Sequence, residues 1–424
     1  MKIVQKIIED VRNNGDSAIK SYTKKFDNIS LDKFIVTKEE IKNAYRSVDK
    51  ETIKALKFAK ENIELFAKQQ LKQFKGARKS EIFGTTFCGF EIKKDGFVIG
   101  QKVIPIEKIG AYVPGGNYPL PSTALMCIVP AKVAGVKEII CCSPKIKNAT
   151  IVAADIAGAD KIFKIGGVQA IAAMAYGTDQ IPKVDKIVGP GNVYVTSAKK
   201  EVYGDVGIDF LAGPSEIMVI ADELADPEII AADLLAQLEH DINARAFLVT
   251  NSNAIINETK KEINKQLKSL DTKNLINQSL KNFKIIKIKN IDESIKITNE
   301  IAPEHLELQI RNPERLIEKL RNYGSLFIGN YSAEAFGDYC AGTNHVLPTR
   351  GGARFTSGLS VRDFIKLQTY QKIDFKGAKK LSPAALKLSK IEGLAAHKKS
   401  VEVRLKYPNK LIQNVGHSNS SYTT

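Results

Sequence analysis

The sequence predicts an α/β protein: two α/β units, a helical N-terminal region, and a small helical segment at the C-terminus. Three observations carry this. Between residues 120 and 221, short apolar runs of β type alternate with helical periods, and the alternation resumes from 227 to 329. Such alternation places parallel strands beneath crossover helices. The first 75 residues carry mainly helical periodicity, and 424 residues suffice for two or three domains with buried cores.

Taken in order, residues 2–75 read as helical, with one short strand at Phe34–Val36 and a helix start at Thr37-Lys-Glu-Glu, acidic in its first turn. From Thr85 to Ile106 the pattern becomes β, centred on the hairpin signal Asp95-Gly96. Ile109-Gly-Ala-Tyr-Val-Pro-Gly-Gly is a strand ending in a glycine turn. The first α/β run follows: helix 121–134, strand 138–142, helix 149–158, strand 161–165, helix 168–176, strand 185–188 and helix 192–202. The second comprises helix 227–240, strand 245–250, helix 253–268, strand 283–288, helix 292–300, strand 305–310, helix 313–321 and strand 324–329. These are expected to be two Rossmann-like α/β domains with a cleft between them; no residue-level repeat marks a duplication. Beyond 360 the chain reads as helical at 382–396 and ends in a polar tail, expected to be disordered after about 405.

Composition narrows the function classes. Hydrophobic content of 43% and charged content of 26% are ordinary for a globular protein. The densest apolar run, Leu125–Val136, is broken by Pro130 and Lys132, so no membrane span is expected. The charged, helical N-terminus is not a signal peptide, which leaves a cytoplasmic location as the expectation. The net charge of +16 raises nucleic-acid binding, but lysines such as Lys54, Lys57, Lys60 and Lys68 are spread over the helices and no RNA- or DNA-binding motif accompanies them. Five cysteines (88, 127, 141, 142 and 340) have neither disulfide nor metal-site spacing, and Cys141 and Cys142 read as buried thiols at a strand end.

The reactive residues cluster. Gly337–Thr349 shows no helical or strand period, and its glycines, Asn344 and Pro348 mark it as loop, yet it holds Asp338 and His345. All five histidines lie beyond residue 239, and only His417 falls in the tail. His240 follows Gln237 by three residues, which on a helix puts both on one face. Pro303 biases Ala302 away from helix and leaves Glu304-His305 at the mouth of a strand. That is the amino end, whereas open α/β sheets bind ligands at the carboxyl ends. His397 lies a little over one helical turn beyond Glu392. Imidazole, carboxylate and amide donors suit zinc, with manganese or cobalt as substitutes. Gly189-Pro-Gly-Asn-Val-Tyr follows a strand and opens a helix but lacks the third glycine of a dinucleotide fingerprint; its backbone N–H groups, like those after Gly166-Gly167, can still attract an anion.

In combination these motifs resemble the histidinol dehydrogenase family. The resemblance runs through Tyr112-Val-Pro-Gly-Gly, Gly189-Pro-Gly-Asn, Ala212-Gly-Pro-Ser-Glu, Gln237-Leu-Glu-His, Ala302-Pro-Glu-His-Leu, Gly337-Asp-Tyr through Asn344-His345, and Ala396-His397-Lys, from the N-terminal helices to about Val403. It implies one zinc ion per subunit held by Gln237, His240, Asp338 and His397, and an acid–base pair formed by Glu304 and His305. It further implies substrate contacts at Ser215, His345 and Glu392 beside the ligands and His305, and NAD contacts at Tyr112, Gln169 and Asn192. The substrate implied is L-histidinol, oxidised through its aldehyde to L-histidine in two hydride transfers. The implied homodimer completes each site with the C-terminal region of its neighbour, so Glu392 and His397 would serve the other subunit.

On this reading residues 1–111 and 217–360 carry most metal and acid–base residues, 112–216 bind the cofactor, and 361–424 complete the dimer's site. Neutral histidine, near its ordinary pKa of ~6.5, suits removal of the hydroxyl proton. Glu304 is then placed to activate the water that hydrates the aldehyde. A related enzyme acting on another primary alcohol would keep Glu304, His305 and the metal ligands but change Ser215, His345 and Glu392.

Overall fold

The computed structural model describes residues 2–74, 77–79, 86–115 and 119–406. The chain divides into two compact units, Met1–Leu71 with Pro105–Ile365, and Lys72–Ile104 with Lys366–Thr424.

The first unit holds two five-stranded parallel sheets. In one, the order is Lys161–Phe163, Glu138–Cys142, Lys108–Tyr112, Lys186–Val188, Gly207–Ile208. In the other it is Phe283–Lys287, Arg245–Thr250, Glu216–Ala221, His305–Gln309, Ser325–Ile328. Numbered along the chain, both sheets have the order 3-2-1-4-5, so each reverses direction between its first and fourth strands. The first strand is central in both and buried for most or all of its length: Ile109 to Tyr112 in one, all of Glu216–Ala221 in the other.

Helix Pro121–Ala134 is buried along almost its whole length, with Lys132 its exposed residue. Proline at its first turn suits the missing donor, and Gly135 ends it in the left-handed conformation at φ 93°. Helix Lys2–Asp27, bent at Gly15, shares a core with the first sheet through Val4, Ile7, Val11 and Ile19, and helix Lys50–Lys72 does so through Leu56, Ile63 and Leu71. The N-terminal helices join the 112–216 layer, and residues 217–360 fall in the same compact unit.

The second unit contains a four-stranded sheet ordered Ala77–Lys79, Thr86–Lys94, Phe97–Pro105, Ile365–Ile373, followed by helices Phe375–Ile391 and Ala395–Leu405. The Asp95-Gly96 turn forms as expected, with Gly96 at φ 86°. Strand Ile365–Ile373 was not foreseen. The tail beyond 406 lies outside the described residues, as does Gly116 of the glycine turn.

The Thr37 start is a complete capping box, in which the Thr37 hydroxyl accepts from the Glu40 N–H and Glu40 accepts from the Thr37 N–H. Phe34–Val36 is not a strand but a single antiparallel bridge from Ile35 to Phe163. The expected helix 227–240 stops at Leu238, and helix 313–321 is one turn, Glu314–Ile317. Among the described residues no helix is long and apolar enough to cross a membrane. Cys127, Cys141 and Cys142 are fully buried, and burial pushes Cys141 up to about 12.

Candidate active site

The sheets present chemistry at opposite edges. At the carboxyl edge of the first lies a cavity of about 410 Å³, lined by Tyr112, Gly115, Pro144, Gly167, Gln169 and Asn192, with helix Lys2–Asp27 closing one side. This is where the strand order reverses, the usual place for a nucleotide in a doubly wound sheet. Gly189, at φ 113°, passes so close to the central strand that a Cβ there would lie 2.1 Å from the Tyr112 carbonyl oxygen. The Tyr112 hydroxyl accepts from the Gly167 N–H at 3.1 Å. Asn192 caps helix Val193–Val202, its Oδ1 accepting from the N–H groups of Tyr194 and Val195. The loop before it is pinned from below: buried Lys199 pairs with Asp209 and donates to the Gly189 carbonyl at 2.9 Å, while Asp209 accepts from the Gly189 N–H at 2.8 Å. Gln169 is buried, and its Oε1 has no partner among the described residues. A buried acceptor beside a cavity fits a ligand that brings a donor. All three expected cofactor positions therefore meet at one cavity.

The second cluster sits at the amino edge of the other sheet. Ala302 adopts φ 52°, the left-handed conformation that turns the chain from helix Glu293–Ile301 into strand His305–Gln309. Glu304 is buried against the start of the central strand, its Oε2 accepting from the Ser215 hydroxyl at 2.5 Å and from the Glu216 N–H at 2.9 Å. His305 Nδ1 lies 3.3 Å from both the Glu216 carbonyl oxygen and Glu334 Oε1, and 3.8 Å from Glu304 Oε2. Its Nε2 is 3.7 Å from Asp338 Oδ1. The fully buried Gln237 amide, turned so that its nitrogen faces Glu334 Oε1 at 2.8 Å, accepts from the Ser215 hydroxyl at 2.6 Å. One hydroxyl proton serves Glu304 or Gln237 but not both, so Ser215 is a switchable link between them.

Gln237 and His240 do not share a helical face as expected. The helix ends between them, leaving Gln237 buried and His240 half-exposed, 4.0 Å from Asp338 Oδ2.

Asp338 is not in a loop either. It lies in the short helix Glu334–Tyr339, too brief to show a period in sequence. Gly337 belongs there because a Cβ would come within 2.7 Å of the Phe327 ring. This helix supplies Glu334, a buried carboxylate sequence reasoning did not pick out; its only signal was its place four residues before Asp338, one helical turn away. His345 donates from Nδ1 to the Asp338 carbonyl at 2.7 Å, so its Nε2, 3.2 Å from the Thr123 hydroxyl, is the acceptor nitrogen.

Burial sets the protonation of the two glutamates in this cluster. It pushes Glu304 up to about 7 and Glu334 up to about 8. Burial alone would lower His305, but Glu334, Glu304 and Asp338 surround it and raise it to about 10. The expectation of a neutral histidine near its ordinary value is therefore not met within the protein's own charges. Burial also works against the Asp338 carboxylate, yet His305 holds it below the usual range. Such packing of acids around one imidazole stores protons near neutral pH.

His240, Glu334 and Asp338 each offer one ligand atom, all within 4.8 Å of one another. This nitrogen–oxygen set fits a divalent cation of the zinc or manganese type. Of the expected ligands, His240 and Asp338 belong to it, Gln237 adjoins it through Glu334, and Glu334 is added. Glu392 and His397 lie in the second unit, where both line one groove between its two helices.

The chain is similar to known proteins over nearly its whole length. The family model described as histidinol dehydrogenase matches residues 1–405. A histidinol dehydrogenase of Methanocaldococcus jannaschii is 47% identical over 95% of this chain and 92% of its own, and one of Clostridium acetobutylicum is 48% identical over 96% and 92%. The crystal structure of a histidinol dehydrogenase from Elizabethkingia anophelis superimposes with a TM-score of 0.88 at 42% identity, covering 96% of this chain and 92% of that one. With this likeness over nearly its whole length, the chain belongs to the histidinol dehydrogenase family.

Proposed function

We propose that the protein oxidises L-histidinol through L-histidinaldehyde to L-histidine, reducing two NAD molecules per turnover, as a cytoplasmic enzyme of histidine biosynthesis. The observation that carries this is the buried pair Glu304–His305, held by Ser215 and Glu216 beside the His240–Glu334–Asp338 cluster. NAD, when bound, accepts hydride from the carbinol carbon. Zinc, held by Gln237, His240, Asp338 and His397, would anchor the substrate through its nitrogens, and Glu334 lies close enough to share or support that set.

In the first oxidation His305 takes the hydroxyl proton as the carbon loses hydride, giving aldehyde. A cation among His240, Glu334 and Asp338 would withdraw the negative field that keeps His305 protonated, freeing it to act as base near neutral pH. In the second, Glu304 takes a proton from water as its oxygen adds to the aldehyde carbon, and His305 returns its proton to the aldehyde oxygen. The hydrate then loses a second hydride and gives one hydroxyl proton to His305, leaving the acid, which ionises to carboxylate. Enclosure holds the aldehyde until it is hydrated. Ser215 and His345 would contact substrate from the same unit.

On the same reading residues 112–216 form the cofactor-binding domain, residues 217–360 carry most of the acid–base and metal groups, and the enzyme is a homodimer. Residues 361–424 would then complete the neighbouring subunit's site with Glu392 and His397. The test is NADH formed per L-histidinol consumed by zinc-loaded enzyme. Two, with histidine as product, supports the reading; one reduces the protein to an alcohol-to-aldehyde enzyme, and none removes histidinol as substrate.

A further inference from the structure

The cavity at the first sheet's carboxyl edge has a wall the sheet does not supply. Helix Lys2–Asp27 brings Ile3, Ile7, Phe26 and Asp27 to it, and Tyr194 faces it from the first turn of helix Val193–Val202. Ile3, Phe26 and Tyr194 are 50%, 48% and 56% exposed. Large apolar side chains left open around a cavity suit a flat aromatic ring.

The cavity also has a direction. On its Asn192 side, the Thr196 hydroxyl donates to the Ala212 carbonyl at 3.0 Å, three residues before Ser215 of the acid–base cluster. A dinucleotide there reaches the reacting centre from the Asn192 side and leaves its adenosine half at Phe26 and Asp27.

In doubly wound sheets that bind NAD, an acid after the second strand accepts from the ribose hydroxyls. Here the second strand, Glu138–Cys142, continues into Ser143-Pro144-Lys145, with a cation where the acid would stand. The carboxylate at this end comes from elsewhere: Asp27, the last residue of the N-terminal helix, half-buried in the cavity wall within electrostatic reach of Lys145. Lys145 is held at φ 45°, an unusual backbone for lysine.

We propose that Asp27 reads the adenosine ribose of the cofactor, accepting hydrogen bonds from its free hydroxyls and excluding a 2′-phosphate. Lys145, within electrostatic reach of Asp27, would itself take the 2′-phosphate if Asp27 lost its charge. This rests on the reading that a dinucleotide occupies the cavity. It assigns the NAD-over-NADP choice to a residue outside the α/β motifs.

The test is equilibrium titration of the full-length protein with NADH and with NADPH, followed by nucleotide fluorescence; with no tryptophan in the chain, protein emission interferes little. Wild type is expected to prefer NADH. Asp27→Asn should weaken NADH roughly tenfold and tighten NADPH roughly tenfold, each about one charged hydrogen bond or repulsion. Lys145→Ala added to Asp27→Asn should remove the NADPH gain. Asp27→Ser should move the ratio in the same direction, guarding against a folding artefact in one variant. If wild type binds NADH and both Asp27 variants leave the ratio within about threefold, the inference is wrong while the cofactor reading stands. If wild type binds neither nucleotide, both fail.

Discussion

The two parallel sheets have the same strand order, yet one opens a cavity at its carboxyl edge and the other gathers buried acids and a histidine at its amino edge. In the first, the strand leaving the reversal point runs into Tyr112-Val-Pro-Gly, and Gly189 lets the facing loop approach the backbone, so a crevice stays open. In the second, the corresponding strand runs into Asp222, which accepts from the Leu224 N–H at 2.9 Å and the Arg311 N–H at 2.8 Å, closing that crevice with the protein's own atoms. The opposite edge is then free to be built up from Ser215, Glu304, His305 and the Glu334–Tyr339 helix. Topology offers two edges per sheet; side chains at the reversal point decide which one stays open.

Short of removing His305, the largest effect that sharpens this contrast is Glu304→Gln. Aldehyde oxidation should fall about 10²–10³-fold while alcohol oxidation is spared, measured as separate half-reactions; equal losses would remove the hydration role. Because Glu304 is pushed up to about 7, the wild-type aldehyde step should rise with pH to a plateau above that value, a rise the variant lacks. Stability carries the opposite sign. The buried Glu304 proton favours the folded state fully below about pH 4.5, and this contribution is lost as pH rises towards 7. Glu304→Gln should therefore gain on wild type across that window by no more than about 3 kcal/mol in denaturant melts.

Next is Gly189→Ala. The φ of 113° and the approach to the Tyr112 carbonyl should cost about 2 kcal/mol or more and weaken NADH binding, leaving the second sheet's histidines unaltered by NMR. The smallest is Asp222→Ala, expected to cost about 1–2 kcal/mol in stability with unchanged KM for either substrate. A KM change there would mean the second sheet's carboxyl edge also binds.

What was legible in sequence follows from this contrast. The first sheet's elements came through because glycine turns and helix starts are local signals, as at Gly189-Pro-Gly-Asn, whereas Tyr112, Gln169 and Asn192 were named only through the family resemblance. The second sheet's site was legible only in part. Glu304-His305 stood out through Pro303, but its placement at the amino edge ran against the general rule. The all-buried strand Glu216–Ala221 was not picked out as the centre of its sheet, since a continuous apolar run has no period to read. Asp338 was assigned to a loop because six residues of helix leave no pattern, and Glu334 went unnoticed because only folding brings it within 3.3 Å of His305. The high protonation of His305 was equally invisible, being set by Glu304 beside it and by Glu334 and Asp338 on the helix Glu334–Tyr339 further along the chain.

The division between a binding edge and a reacting edge is tested most directly by His305→Ala, with NADH affinity and L-histidinol turnover measured on the same preparation. Turnover should fall by about 10³-fold or more, while the Kd for NADH stays within about threefold of wild type. A parallel loss of NADH binding would contradict it, since the two edges would then be one site rather than two joined by the substrate.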